Sequence, residues 1–171
     1  MRSDNVIVVE MDFFSARLVL HPFSLEEAER VIQRVPSSED VWDPNYPLED
    51  ELDPLRSFVR DVRDGVEPGP FSLYAIRYRA GNVAIGGIGF FGPPDESGAV
   101  EIGYGLVPSA RGKGIATEAL VAALGIARQH GALMVKADTN QENPASQRVL
   151  RGAGFAQTGR AGEQTYYSYE I

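Results

Sequence analysis

Cysteine is absent from this 171-residue chain. Disulfides, thiolate metal sites and a cysteine nucleophile are therefore excluded, and the composition suits the cytoplasm. Histidine is scarce, and neither His21 nor His130 falls in a metal-ligating spacing, so no metal is expected. No apolar run is long enough to span a membrane. The opening stretch MRSDNVIVVEMDFF lacks the uninterrupted apolar core and the cleavage site of a signal peptide. Positive charge is in deficit: 16 Lys and Arg against 24 Asp and Glu give a formal charge of −8. That balance argues against general nucleic-acid binding and is compatible with cationic amines as partners. Repeats, low-complexity tracts and linkers are also missing. Residues 1–171 therefore read as one domain, with apolar and charged contents of 43% and 23% that are ordinary for a globular protein.

What is present is concentrated in residues 98–131. Val100, Ile102, Tyr104 and Leu106 alternate with Glu101, Gly103, Gly105 and Val107, which is the period of a strand. Pro108 ends it, and Arg111-Gly112-Lys113-Gly114 makes a glycine-rich turn. Ile115, Ala116, Ala119, Leu120, Ala123, Leu124 and Ala127 then recur at helical spacing, with Gly131 as the stop. A strand, a glycine turn and a helix N-terminus together aim unpartnered backbone N–H groups at an anion. The stretch reads as a phosphate cradle.

Three phosphate ligands compete for it. A nucleoside triphosphate loop requires Ser or Thr after the lysine, and Lys113 is followed by Gly114. A dinucleotide site requires a third glycine where Thr117 stands, although Asp138 occupies a place for the ribose-binding acid. The third is acyl-coenzyme A. Arg111-x-x-Gly114-x-Ala116 resembles the pyrophosphate signature of the GCN5-related N-acetyltransferases (GNAT), Gln/Arg-x-x-Gly-x-Gly/Ala. Glu-Ile-Gly-Tyr before it and Ala-Thr-Glu-Ala after it are similar to the branch that acetylates ribosomal-protein N-termini. So is Asn143-Pro-Ala-Ser146 leading to Gly154-Phe155. The resemblance covers about residues 14 to 170.

Along the chain, Val6 to Val9 is an extra strand or a tail, and Ala16 to Pro22 reads as a strand. Ser24 to Glu27 is a capping box for a helix with Leu25, Ala28, Val31, Ile32 and Val35 on its apolar stripe. Residues 36–54, with four prolines and many carboxylates, read as loop anchored by Trp42 and Tyr46, and a helix follows from about Pro54 to Asp64. Phe71 to Arg79 and Val83 to Phe91 form a hairpin around Gly81-Asn82. Leu133 to Ala137 is a strand, Asn143-Pro144 opens a last helix ending near Gly152, and Gly154–Thr158 with Thr165–Ile171 close the chain as a hairpin. The fold class is therefore α/β with a mixed sheet. The resemblance implies the acyl-CoA N-acyltransferase fold, a mostly antiparallel sheet flanked by about four helices.

The resemblance also implies acetyl-CoA as cosubstrate and an N-acetyltransferase activity. An amine attacks only when neutral, and a lysine-type amine has a pKa of roughly 10. The site must remove a proton, stabilise an oxyanion and let a thiolate leave. Without cysteine, direct transfer in a ternary complex is favoured over a thioester-enzyme. Glu101 is the candidate base, because small neighbours Gly103 and Gly105 leave room on its strand face; a solvated strand residue is the alternative. In the family, the backbones of Leu106 and Val107 meet the pantetheine arm. Arg111, Gly112, Lys113, Gly114, Ile115 and Ala116 would hold the pyrophosphate; a purely structural turn is the alternative. Asn143 caps its helix and, by resemblance, contacts pantetheine. Ser146 matches the serine that backs the leaving thiolate, or is an ordinary helix residue. The chain departs from many relatives in carrying Leu150 where they have a tyrosine acid. Tyr104 reads as core, and His21 and His130 as structural.

Glu39, Asp40, Asp43, Glu49, Asp50, Glu51 and Asp53 would line or rim the acceptor cleft, or form a solvated loop. The acceptor is then a protein N-terminus or a small cationic amine. A non-catalytic acyl-CoA sensor and a dinucleotide-binding domain remain as alternatives. Oligomeric state is not written in the sequence; relatives of this kind are often dimers, so the resemblance admits a homodimer.

Overall fold

The computed structural model describes residues 11–171, and the expectation for Val6 to Val9 lies outside them. Eight strands form one sheet in the order β1-β2-β3-β4-β5-β6-β8-β7. They are β1 (Phe13–Phe14), β2 (Leu18–Pro22), β3 (Leu73–Tyr78), β4 (Ala84–Phe90), β5 (Ala99–Leu106), β6 (Met134–Asn140), β7 (Ala156–Ala161) and β8 (Gln164–Glu170). The helices are α1 (Leu25–Gln33), α2 (Leu52–Arg63), α3 (Ile115–Gln129) and α4 (Pro144–Gly152). Every neighbouring pair is antiparallel except β5 with β6. One parallel pair, joined through α3, is the single crossover that the sequence implied. A doubly wound dinucleotide fold would repeat it. Among the described residues no helix is long and apolar enough to cross a membrane.

The local signals act as their chemistry dictates, with two adjustments. Ser24 Oγ accepts the Glu27 N–H at 3.2 Å and starts α1. Arg34 then turns left-handed (φ 57°), so the helix ends before Val35, which is exposed rather than part of the apolar stripe. Residues 36–54 are not loop throughout. Glu49–Glu51 form a 3₁₀ turn that runs into α2, and α2 begins two residues before Pro54. Proline is tolerated in a first turn, and Asp53 there suits the helix dipole. Tyr46 is buried and packs edge-on to Trp42 at 5.5 Å between centroids. Gly81 and Asn82 both take positive φ in the β3–β4 turn.

Two faces of the sheet are treated differently. The side chain of Tyr104 reaches α4, and α3 buries Ile115, Ala119, Leu120, Ala123, Leu124 and Ala127 in the core. The opposite face of β4 and β5 has no side chains at Gly87, Gly89, Gly103 and Gly105. A Cβ there would meet Glu51 Oε1 at 2.0 Å, Leu73 at 2.3 Å, Phe91 at 2.9 Å or Leu48 at 2.8 Å. This bare floor lets the start of α2 descend onto the sheet. Glu51 goes down with it, one oxygen accepting the Leu48 N–H at 2.9 Å. Burial pushes its carboxyl up to about 7, against which the Leu48 bond acts only weakly.

A second tie fixes the start of α3. Glu118 accepts from Ser15 Oγ at 2.9 Å, Arg17 N at 2.8 Å and Arg17 Nε at 2.7 Å. The Arg17 guanidinium also donates to the Lys113 carbonyl at 2.9 Å.

Two stability measurements follow from these contacts. Glu118→Ala removes all three acceptor bonds and costs about 1–2 kcal/mol in denaturant unfolding, because Arg17 is half-exposed and its pairing is screened. Glu51→Gln behaves oppositely. The folded state holds the Glu51 proton up to about 7, while an unfolded glutamate releases it near 4.5, so native stability falls as pH rises between the two. Unfolding curves should show Glu51→Gln more stable than the parent by roughly 3 kcal/mol at pH 8 and equal to it near pH 4.

Candidate functional site

The site begins with a break in the sheet. β5 pairs with β6 only over Ala99, Val100 and Glu101, opposite Met134, Val135 and Lys136. Beyond Glu101 the strands diverge. Val107 N–H donates to Ile85 O at 2.8 Å and Phe91 N–H to Glu101 O at 3.0 Å. Odd positions of β5 therefore bond to β4, and alternation turns the backbone groups of Ile102, Tyr104 and Leu106 into the gap. This separates two residues that the sequence treated together. Leu106 presents its amide to the gap. The Val107 N–H is taken by Ile85, its carbonyl accepts from Ala110 N at 3.0 Å, and its side chain is fully buried. Val107 therefore has no amide to offer a ligand, which corrects the expectation for it.

The gap opens onto the glycine turn. Gly112 and Gly114 have φ of 72° and 74°, a region that side-chain-bearing residues avoid, and Gly114 is the N-cap of α3. No side chain caps that helix. The first N–H groups of α3 thus point outward beside a turn whose backbone is held by Arg17. Arg111 Nε donates to the Leu106 carbonyl at 3.0 Å, which couples the turn to the end of β5. Together these elements enclose a cavity of about 620 Å³. Arg111, Gly112, Gly114, Ile115 and Ala116 line one end of it, and Leu106 with Gly105 and Tyr104 the floor. Asn143 and Ser146 line the far wall. Lys113 is exposed and is not part of the lining.

Asn143 Oδ1 accepts the Ser146 N–H at 3.1 Å, so its oxygen acts as the cap of α4. Ser146 Oγ lies 2.8 Å from the Tyr104 hydroxyl. Burial raises the Tyr104 phenol, against the opposing pull of its bond to Ser146. Leu150 is fully buried in the core, so α4 offers no hydroxyl at that turn. The hydroxyl pair is instead built from α4 and β5. Alternation assigned Tyr104 to the core, and its face was read correctly; its reach across the gap to Ser146 is a tertiary fact that no local pattern carried.

A second cavity of about 250 Å³ lies over the glycine floor. It shares Leu48, Asp50, Tyr104 and Gly105 with the first, so the two meet there. Glu51 lines it. The other acidic residues expected around the cleft divide by their partners. Asp40 pairs with Arg30 at 2.7 Å, Glu49 with Arg34 at 2.6 Å and Asp53 with Arg56 at 2.7 Å. Asp43 accepts from Ser109 Oγ at 2.8 Å, and Glu39 lines a separate polar cavity with His21 and Arg77.

Glu101 is not brought to either cavity. Its side chain is exposed and lines a separate groove with Lys136, Asp138 and Tyr166. Gly105 is four residues further along the strand, about 13 Å away. Asp138, the ribose-binding candidate of the dinucleotide reading, lies in that same groove. His21 sits between Glu27 at 2.8 Å and Asp12 at 2.6 Å. Burial alone would lower it, but the two carboxylates raise it overall. His130 ends α3 with its ring edge-on to Phe71, at 6.4 Å between centroids.

Comparison with known proteins agrees with this geometry. Residues 17–156 match the family model described as the acetyltransferase (GNAT) domain. The chain is 33% identical over 86 residues to the uncharacterized N-acetyltransferase YjdG of Bacillus subtilis; the match spans 50% of this chain and about half, 51%, of that relative. Ribosomal-protein-S5-alanine acetyltransferase from Vibrio fischeri superposes with a TM-score of 0.66 at 17% identity, covering 94% of this chain and 96% of the other. RimL, the ribosomal L7/L12 α-N-protein acetyltransferase in complex with coenzyme A, gives 0.67 at 18% identity, covering 94% and 98%. The glycine turn, the split sheet and the extent of the family match lead to one conclusion: the chain belongs to the GNAT acetyltransferase family.

Proposed function

We propose that the protein is an acetyl-CoA-dependent N-acetyltransferase that passes an acetyl group directly to a primary amine within a ternary complex. The observation that carries this reading is the meeting of two cavities at Tyr104 and Gly105. One has a phosphate cradle and a sheet edge lacking its neighbour; the other has an apolar wall and carboxylates. RimL, which shares the fold, is named as a complex with coenzyme A.

In this reading the pyrophosphate is held by backbone N–H groups of Gly112 to Ala116, with Arg111 and Lys113 supplying positive charge. The pantetheine arm takes the place of β6 along Tyr104 and Leu106, and Asn143 faces it from α4. The Leu106 amide, directed into the gap, supplies a donor for the thioester oxygen as charge develops there. The amine lone pair attacks the carbonyl carbon, the C–S bond breaks as the carbonyl re-forms, and the sulfur takes up a proton. Ser146, polarised by the Tyr104 hydroxyl, delivers that proton. This arrangement replaces the tyrosine acid for which Leu150 leaves no room. With no cysteine in the chain, no acyl-enzyme on sulfur forms.

The direct test is release of coenzyme A thiol from acetyl-CoA, followed colorimetrically against N-terminal peptides, polyamines, aminoglycosides and amino acids. The cysteine-free protein contributes no thiol background. Amine-dependent release is the expected outcome. Saturable acetyl-CoA binding without release from any amine favours a sensor domain instead. Ser146→Ala should lower kcat by about 10- to 100-fold while leaving the Kd for acetyl-CoA within about threefold. An unchanged kcat removes the serine from the mechanism.

A further inference from the structure

The geometry assigns the amine-binding and proton-accepting role to Glu51, in a pocket shaped for a single primary amine on a small apolar skeleton. This assignment rests on the acetyltransferase reading above. It takes the place of Glu101, the candidate base of the sequence reading.

Glu51 is placed by three independent features. The glycine floor is the first: Glu51 Oε1 sits where a Cβ on Gly87 would be, 2.0 Å away, so any side chain at 87 would expel it. Gly87 pairs directly with Gly105, the residue at which the two cavities meet. The carboxylate is therefore one strand, about 5.5 Å between Cα positions, from the junction with the coenzyme A cavity. The second feature is its incomplete bonding. One oxygen accepts from Leu48 N, while the other has no hydrogen-bond donor among the described residues. Among the described residues no Lys, Arg or His lines the cavity. A half-buried carboxylate with no cation beside it among the described residues is costly to keep ionised, and an incoming ammonium group supplies what is missing.

The third feature is the shape and chemistry of the wall. Phe23, Leu48, Leu55, Leu73, Ile88 and Phe91 line the cavity together with Glu51. At about 250 Å³ the cavity is smaller than the usual range for drug-sized ligands. Among the described residues Asp50 is the only other acidic group lining it. A polyamine or an aminoglycoside, with several ammonium groups, would leave charges unpaired against apolar side chains. The α-amine of a residue with a small apolar side chain, or an aliphatic monoamine, leaves none.

The proton account closes. The substrate ammonium gives one proton to the Glu51 carboxylate, and the neutral nitrogen attacks the thioester carbonyl. The nitrogen loses a second proton, which reaches the departing sulfur through Ser146, and the C–S bond breaks. Glu51 then returns its proton to water. Burial raises the Glu51 carboxyl to about 7, which matches a proton acceptor to neutral conditions. The titratable groups around it are Asp50, Tyr74 and Tyr104 on the cavity wall and Tyr46 within electrostatic reach. None of them is a cation.

The test compares the full chain with Glu51→Gln and Glu101→Gln across pH 5.5 to 9, alongside acetyl-CoA titration. Gln at 51 keeps an oxygen for the Leu48 N–H, so a merely capping role survives the change. The expected result is a parent kcat/KM for apolar N-terminal peptides or monoamines that rises through an apparent pKa near 7. Glu51→Gln should lose that limb and at least about 100-fold in rate with acetyl-CoA affinity unchanged, while Glu101→Gln keeps the limb. Loss of the limb in Glu101→Gln, or its retention in Glu51→Gln, overturns the assignment. So does a preference for polyamines over monoamines. Carboxyl ¹³C titration of glutamate-labelled protein gives a readout without turnover: one resonance titrating near 7, absent from Glu51→Gln, and moved to lower pH by a saturating monoamine. If acetyl-CoA fails to bind the parent, the acetyltransferase reading itself falls, which the titration reports separately.

Discussion

The parting of β5 from β6 after Glu101 is the constraint on which the rest of the structure depends. A strand inside a sheet has its backbone groups satisfied on both edges, and a buried group left without a partner is costly. Here one edge of β5 is given up over Ile102 to Leu106, beside the cradle at Gly112 to Ala116 and the capped N-terminus of α4. Each of these elements leaves donors unmatched in the same volume. A ligand that carries both an extended amide-bearing arm and phosphates satisfies all of them together, and that is the physical content of the coenzyme A reading.

The opposite face follows from the same strands. Four glycines on β4 and β5 remove the side chains that would otherwise fill the space between the sheet and α2. The chain uses that space to bury a carboxylate and to leave a small apolar-walled hollow beside it. Stability and function pull against each other at this point. Burial that makes Glu51 a good proton acceptor near neutral pH also makes it a destabilising residue in that range. Asp40, Glu49 and Asp53 of the same loop carry no such tension, because Arg30, Arg34 and Arg56 pair with them.

In the proposed reading the hydroxyl that would face the leaving thiol does not come from the position of Leu150, which is packed into the core. The hydroxyl pair formed by Tyr104 and Ser146 draws one member from the sheet and one from the helix. Two groups from separate elements hold each other's orientation, which a lone serine on the first turn of α4 does not achieve. Arg17 and Glu118 perform the equivalent service for the cradle, fixing the carbonyl of Lys113 from outside the pocket.

What the sequence determined by itself was whatever depends on neighbours in the chain. The alternation of Val100 to Leu106, the left-handed glycines, the Ser24 and Asn143 caps and the spacing of Arg111, Gly114 and Ala116 act over a few residues. Their structures followed from local sterics and hydrogen bonding. The single crossover and the mixed sheet followed from element order. Only the tertiary structure decided which carboxylate is half-buried in a cavity and which is exposed. Glu101 and Glu51 are alike as residues, and the Gly103–Gly105 face suggested space beside the first. The space is real, but the turn leading into α2 descends onto it and places Glu51 there, because the pairing of Gly87 with Gly105 lays two glycine strands edge to edge. Desolvation depends on what packs over a group, and that is set by chain segments far apart in sequence. The same reason hid the Val107 amide, taken by Ile85, and the reach of Tyr104 to Ser146.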